Sequence, residues 1–225
     1  MLSIPELLTR LEQAYGDPQW WPAQTPFEVI VGAVLTQNTQ WSNVEKAIGR
    51  LRAAQALTPA SMAALPEEHL AELIRPSGYY RVKARRLRAV LAFLEAQGGI
   101  EALAQDDTST LRAKWLGVHG VGPETADDIV LYAFSRPVFV VDTYTRRLFG
   151  RLGLADPKQS YDALRLPVEA ALQQDVAALN ALHALIVIHA KEHCRVKPRC
   201  GGCPLASECT HGEHGVKRGG QGQKM

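Results

Sequence analysis

Residues 119–130 read HGVGPETADDIV: two glycines two apart, then a proline, then a run of helix-forming residues. Gly120 and Gly122 are expected to supply backbone angles closed to other residues. Pro123 suits a first helical position, where its fixed φ is already helical and its missing N–H is no loss. The stretch therefore predicts a tight turn feeding a helix. Outward from it, apolar residues recur at intervals of three and four in PFEVIVGAVLTQNT (26–39), KARRLRAVLAFLEAQGG (83–99) and VEAALQQDVAALNALHALIVIHA (168–190), with Gly or Pro between segments. The expectation is an all-α protein. PVFVV (137–141) has strand-like residues but no second strand to pair with, and is read as a buried connector. No repeat of fixed period is visible, and the Gly-rich, polar residues 210–225 are expected to form a flexible tail.

With 225 residues, 46% of them hydrophobic, the chain can bury a full core as one large domain or two small ones. No apolar run approaches the ~20 residues needed to span a bilayer, and the N-terminal residues lack an export signal, so a soluble, cytoplasmic location is expected. A net charge of +2 is too small to imply a nucleic-acid partner by itself. Its distribution says more: Arg75, Arg81, Lys83, Arg85, Arg86 and Arg88 fall between Leu73 and Leu94 without an intervening acid.

All the cysteines, Cys194, Cys200, Cys203 and Cys209, lie in CRVKPRCGGCPLASEC (194–209). Disulfides do not suit a chain without an export signal, and the grouping points to one shared ligand. Zinc ribbons usually set two C-x2-C knuckles well apart, whereas here a single C-x2-C is flanked by five-residue spacers, a compact loop that suits a 4Fe-4S cluster. Zinc and unligated thiols remain the alternatives. Lys191, Arg195, Lys197 and Arg199 give this loop a second basic surface.

The order of hairpin, buried connector, aspartate and late four-cysteine loop resembles the helix-hairpin-helix DNA glycosylases of the endonuclease III superfamily, over nearly the whole chain. The resemblance implies two helical domains with a DNA-binding cleft between them. Residues 25–138 would form one domain, with the helix-hairpin-helix at about 113–134; residues 1–24 and 139–209 would form the other, with the iron-sulfur loop at 194–209. It also implies that Gly120, Val121, Gly122 and Thr125 meet a DNA phosphate, possible because glycines allow close approach and a helix start favours an anion, with a monovalent cation held by the loop carbonyls. The partner would be damaged double-stranded DNA, bound by a monomer.

The same resemblance places the family's catalytic aspartate at Asp142, in VDTYTRR (141–147). Breaking the bond between base and sugar builds positive charge on the deoxyribose, which a fixed carboxylate stabilises. The same aspartate also reads as an ordinary helix N-cap, and the two readings are compatible. Lyase members of the family place a lysine two residues after the second hairpin glycine; here Glu124 stands there, and a carboxylate cannot form an imine. The first spacer of the cysteine loop is also one residue shorter than in endonuclease III proper.

WWPAQTPFEVIVGAVLTQNTQW (20–41) resembles a bacterial 3-methyladenine glycosylase branch, which implies a base pocket of Trp20, Trp21, Pro22 and Trp41, with Glu124. Aromatic faces attract a positively charged alkylated purine; core aromatics are the plainer reading. Base flipping needs a gap-filler and a wedge, and the resemblance implies that Gln37 and Tyr79 take these roles, with Arg81 and Lys83 along the phosphates; a satisfied polar residue, a capping aromatic and a solvated helix face are the plainer readings. Three functions stay open: a monofunctional glycosylase acting on alkylated purines, a bifunctional glycosylase and AP lyase acting on oxidised pyrimidines, and a non-catalytic DNA-binding protein.

Overall fold

The structure is a computed structural model that describes residues 2–18 and 20–211. Among these residues there is no strand, and twelve α-helices follow one another: α1 (Ile4–Tyr15), α2 (Pro26–Thr36), α3 (Trp41–Ala53), α4 (Pro59–Ala63), α5 (Glu67–Leu73), α6 (Tyr80–Ala96), α7 (Ile100–Leu103), α8 (Thr108–Leu116), α9 (Pro123–Asp128), α10 (Thr143–Leu152), α11 (Tyr161–Ala171) and α12 (Val176–Glu192). The chain divides into two compact units, Trp21–Arg136 and the described residues before and after it. The expected tail falls largely on residues 212–225, outside the described residues. Thr210, at its start, is held: its N–H and hydroxyl both donate to the Arg151 carbonyl, at 3.1 and 2.9 Å.

In the unit formed by Trp21–Arg136, α2 is the central helix. Every residue from Phe27 to Leu35 is buried, because α2 packs against α3, α6 and α9, so its apolar residues are not confined to one stripe. Thr25 caps it by accepting the Glu28 N–H, and Pro26 occupies the first turn. The hairpin is α8, the turn at 117–122, and α9, which passes into a single π-helical turn, Ile129–Ala133. Its two helices are clamped by Arg112, whose guanidinium donates to both carboxylate oxygens of the fully buried Asp127, at 2.6 and 3.1 Å. Beneath them Trp115 is wholly buried against Phe93, ring centroids 4.9 Å apart.

In the other unit, α1 and α10 pack on α12. The connector 138–141 is buried and has no ladder partner, so its amides need other acceptors. Side chains supply them: Phe139 N–H donates to Glu169 at 2.8 Å and Val141 N–H to the Tyr161 hydroxyl at 3.2 Å. Glu169 is balanced by Arg165 at 2.7 Å. The apolar pattern of 168–190, continuous in sequence, breaks between α11 and α12 without a glycine or proline. Gln173 and Gln174 adopt left-handed angles, and Asp175 caps a new helix by accepting from Ala177 and Ala178 N–H.

Candidate functional site

The turn of the hairpin distinguishes its two glycines. Gly120 has φ +84°, and a Cβ there would run into the Arg86 side chain, so both conformation and space require glycine. Gly122 has φ −92° and open space around it, contrary to the expectation that its backbone angle excludes other residues. Nothing within the chain demands glycine at 122. Val121 turns its side chain into the core, and its N–H donates to Val118 O at 3.0 Å. Thr125 is also internal, and its hydroxyl accepts from Gln37 Nε2 at 2.9 Å.

Gln37 occupies the tip of a tight turn in which Thr39 N–H donates to Thr36 O, with Asn38 at φ 52°. Its side chain is engaged by the hairpin and by Arg86 of α6. Nε2 donates to Gly120 O at 3.0 Å as well as to Thr125, and Oε1 accepts from Arg86. The residue read as a gap-filler is therefore parked on the hairpin in this structure.

Tyr79 heads α6 in the left-handed conformation, φ 46°, and is 70% exposed. Its neighbour Tyr80 lies under the Arg75 and Arg81 guanidinium groups instead.

The basic stretch is less exposed than its sequence suggests. Lys83 is not a surface cation: it is 1% exposed, and its ammonium donates to Leu35 O at 2.8 Å and Ser77 O at 2.7 Å. Burial, with the nearby charge of Arg86, pushes its pKa down to about 8. Arg86 is bound to Gln37, and Arg88 reaches the carbonyls of Ala63 and Leu65 beyond α4. Arg81 and Arg85 keep exposed positions.

A pocket of about 200 Å3 is lined by Trp21, Pro22, Gly32, Trp41, Glu28 and Glu45. Trp21 stands edge-on to Trp41, centroids 5.3 Å apart, and lies against Tyr132 at 4.9 Å. Gly32 makes room for it, since a Cβ there would meet the indole at 3.3 Å. Of the expected base-pocket residues, Trp21, Pro22 and Trp41 line this cavity and two do not. Trp20 belongs to the other unit, where Lys191 Nζ sits 5.5 Å from its ring centroid, because the chain turns sharply at Trp21, φ 73°. Glu124 is exposed on the first turn of α9 and is not part of this lining. Sequence reading missed Glu28 and Glu45. Glu28 is buried and paired with Arg52 at 2.7 Å. An acid inside the apolar pattern of α2 was the available signal.

In the other unit, Asp142 ends the connector and caps α10: Oδ1 accepts the Thr145 N–H at 2.7 Å. Only 8% of the residue is exposed. His183 of α12 approaches it, with Nε2 3.8 Å from Oδ2, a separation longer than a hydrogen bond. Burial pushes the Asp142 pKa up, but His183 and the Thr145 amide outweigh it and hold the carboxyl below its ordinary value. The group is thus a carboxylate at neutral pH despite being buried. His183 was not singled out from the sequence, although a histidine within an apolar helix was visible.

The four cysteines surround one cavity, walled by Leu148, Leu152 and Leu205. Burial, and the neighbouring thiols of Cys209, Cys200 and Cys194, push the Cys203 thiol up, so these sulfurs repel one another as anions and favour a cationic occupant. Donors already point at them. Arg151 reaches Cys194 Sγ at 3.3 Å, and His211 N–H donates to Cys209 Sγ at 3.4 Å. Such N–H contacts are the outer interactions that cluster sulfurs accept. The donor set fits an iron-sulfur cluster, although among the described residues no three His, Cys, Asp or Glu side chains converge on a single-ion site. α10 also anchors the loop through Arg147, which donates to Cys194 O at 2.7 Å, and through Arg151, which donates to Arg195 O and Val196 O.

Residues 31–174 match the family model described as HhH-GPD superfamily base excision DNA repair protein. The chain is 47% identical to the "putative DNA repair glycosylase" of Methanocaldococcus jannaschii, over 87% of this chain and 90% of that one. It is 30% identical to endonuclease III of Bacillus subtilis, over 86% and 85%. Among solved structures, the 3-methyladenine DNA glycosylase of Helicobacter pylori bound to 1,N6-ethenoadenine superposes with a TM-score of 0.74 at 31% identity, covering 85% of this chain and 98% of that one. A trapped endonuclease III–DNA covalent intermediate gives 0.77 at 28%, covering 97% and 99%. The protein belongs to the helix-hairpin-helix superfamily of base-excision repair proteins and is a DNA-binding DNA glycosylase. No helix among the described residues is long and apolar enough to cross a membrane.

Proposed function

We propose that this glycosylase is monofunctional, that it removes alkylated purines from duplex DNA, and that Asp142 is its catalytic carboxylate. The observation that carries the reading is Asp142 itself, buried yet held ionised by His183 and the Thr145 amide. A fixed anion in a water-poor site stabilises the oxocarbenium-like sugar more strongly than one in bulk water. With glutamate at position 124 in place of the family's imine-forming lysine, water is the nucleophile, and Asp142 orients it.

The preference for alkylated purines rests on the pocket of Trp21, Pro22 and Trp41. Aromatic faces attract a base that methylation has made cationic, and Glu45 adds negative charge, whereas Glu28 is balanced by Arg52 in the same lining. A cationic base is also a good leaving group, so little acid catalysis is needed. Gly120 and Gly122 bring the hairpin peptide groups to a phosphate, with a monovalent cation at the loop carbonyls, and Arg81 lies along the strand. Tyr79 wedges into the duplex. Gln37 exchanges its hairpin bonds for the space left by the extruded nucleotide. Cys194, Cys200, Cys203 and Cys209 would hold a 4Fe-4S cluster. With each iron held by a cysteine, that group supplies a structural tie for the loop and no open coordination site.

The test is a set of duplexes carrying N-methylated purines, 1,N6-ethenoadenine or an oxidised pyrimidine, assayed for free base, for strand breaks with and without alkali, and for borohydride-trapped adducts. Release of methylated purine, with breaks only after alkali and no trapped adduct, is the expected result. A trapped adduct would assign the bifunctional reaction, and no base release from any duplex would leave only DNA binding.

A further inference from the structure

Lys83 is a long cation in the core of its unit, at a position where α6 packs through Ala84 and Leu87. Burying an ammonium is unfavourable unless it is well bonded, and its two strong acceptors come from separate segments, the end of α2 and the turn ahead of α6. Leu35 O belongs to the last turn of α2, where the carbonyls lack helical partners and carry partial negative charge. Ser77 O lies in the turn ahead of α6. Each acceptor is two residues upstream of a residue given a role in base flipping: Leu35 precedes Gln37, whose side chain is bonded to the hairpin, and Ser77 precedes the exposed Tyr79. The lattice continues to the hairpin, since Gln37 is bonded to Gly120 O and Arg86 to Gln37.

We propose that Lys83 is a positioning residue that fixes the Gln37 turn and the Tyr79 turn relative to each other, so that both side chains engage the same base pair when a nucleotide is extruded. This rests on the wedge reading of Gln37 and Tyr79 given above. Lys83 touches neither DNA nor the reacting atoms; it acts through the two carbonyls. A neutral side chain of similar length fills the space but cannot bridge them, and the two turns become free to shift separately. Displacements of about 1 Å in a positioning element can cost ~100-fold in rate.

The experiment compares single-turnover excision of one lesion in a fully paired duplex and in an unpaired bubble, where no base pair has to be opened. Lys83→Met is expected to slow excision from the paired duplex by about tenfold or more, while excision from the bubble stays within roughly threefold of wild type. A fluorescent base beside the lesion should report correspondingly less unstacking. Equal slowing on both substrates, or no slowing on either, overturns the proposal, because a merely structural role would not change their ratio. Tyr79→Ala and Gln37→Ala run alongside. If they change the ratio and Lys83→Met does not, only the role of Lys83 fails; if they leave it unchanged, the wedge reading itself fails. Should Lys83→Met not fold, Lys83→Leu, which also lacks any N–H donor, is read in the same way.

Discussion

Replacing Asp142 by asparagine separates the two roles of this residue. As a cap, asparagine is equivalent: its side-chain oxygen can still accept the Thr145 N–H that Asp142 accepts at 2.7 Å, and Asn and Asp are comparable N-caps. Losing a negative charge at the start of α10 costs about 0.3–1 kcal/mol, and relief from burying an ion works in the opposite direction. The fold should therefore stay within about 1 kcal/mol of wild type by urea titration. The chemistry loses a preorganised charge beside the developing cation, and removal of one such group costs about 2.7–4 kcal/mol, or roughly 100- to 1,000-fold in rate. Single-turnover release of methylated purine from a duplex at saturating enzyme measures this without interference from product release. A rate within about threefold of wild type, with the variant folded, would refute the assignment, since no buried carboxylate in electrostatic contact with the reacting sugar could be neutralised so cheaply.

Three further outcomes follow from the same geometry. Gly120→Ala should lower stability by about 1–2 kcal/mol, because φ +84° is disfavoured for alanine and the new methyl meets Arg86, whereas Gly122→Ala should melt like wild type and bind DNA more weakly; equal melting of the two variants in parallel thermal scans would contradict this. The Asp142 pKa lies below its usual 3.8, so its contribution to stability is complete above that value and is lost only as pH falls through the lower folded value. Excision should accordingly show no acid limb from this group near neutrality, while His183→Leu should move the limb upward; an unmoved profile would remove His183 from the account. Purified protein should carry iron and sulfide at about four each per chain, with visible absorbance that Cys200→Ala abolishes; a colourless protein containing one zinc would point to the other ligand class.

What the sequence alone determined is mostly what local preference controls. Helical periodicity, Pro123 after the turn, the unpaired PVFVV connector and Asp142 ahead of TYTRR act through neighbours within a few residues, and these features were legible without coordinates. The clustered cysteines were legible for the same reason, since all four lie in one short loop.

Tertiary structure decided which side of the protein surface each charge and ring occupies. Lys83 and Arg81 are two residues apart in one basic run, yet one is sealed against two carbonyls and the other is exposed, because the acceptors come from Leu35 and Ser77 rather than from the run itself. Trp20 and Trp21 are adjacent and part company at a left-handed residue. His183 meets Asp142 across forty-one positions of chain, and Gln37 meets Gly120 across eighty-three. Propensity and periodicity describe a residue's own turn of backbone; burial and partnership depend on which distant segment packs over it, and only the folded chain brings that segment there.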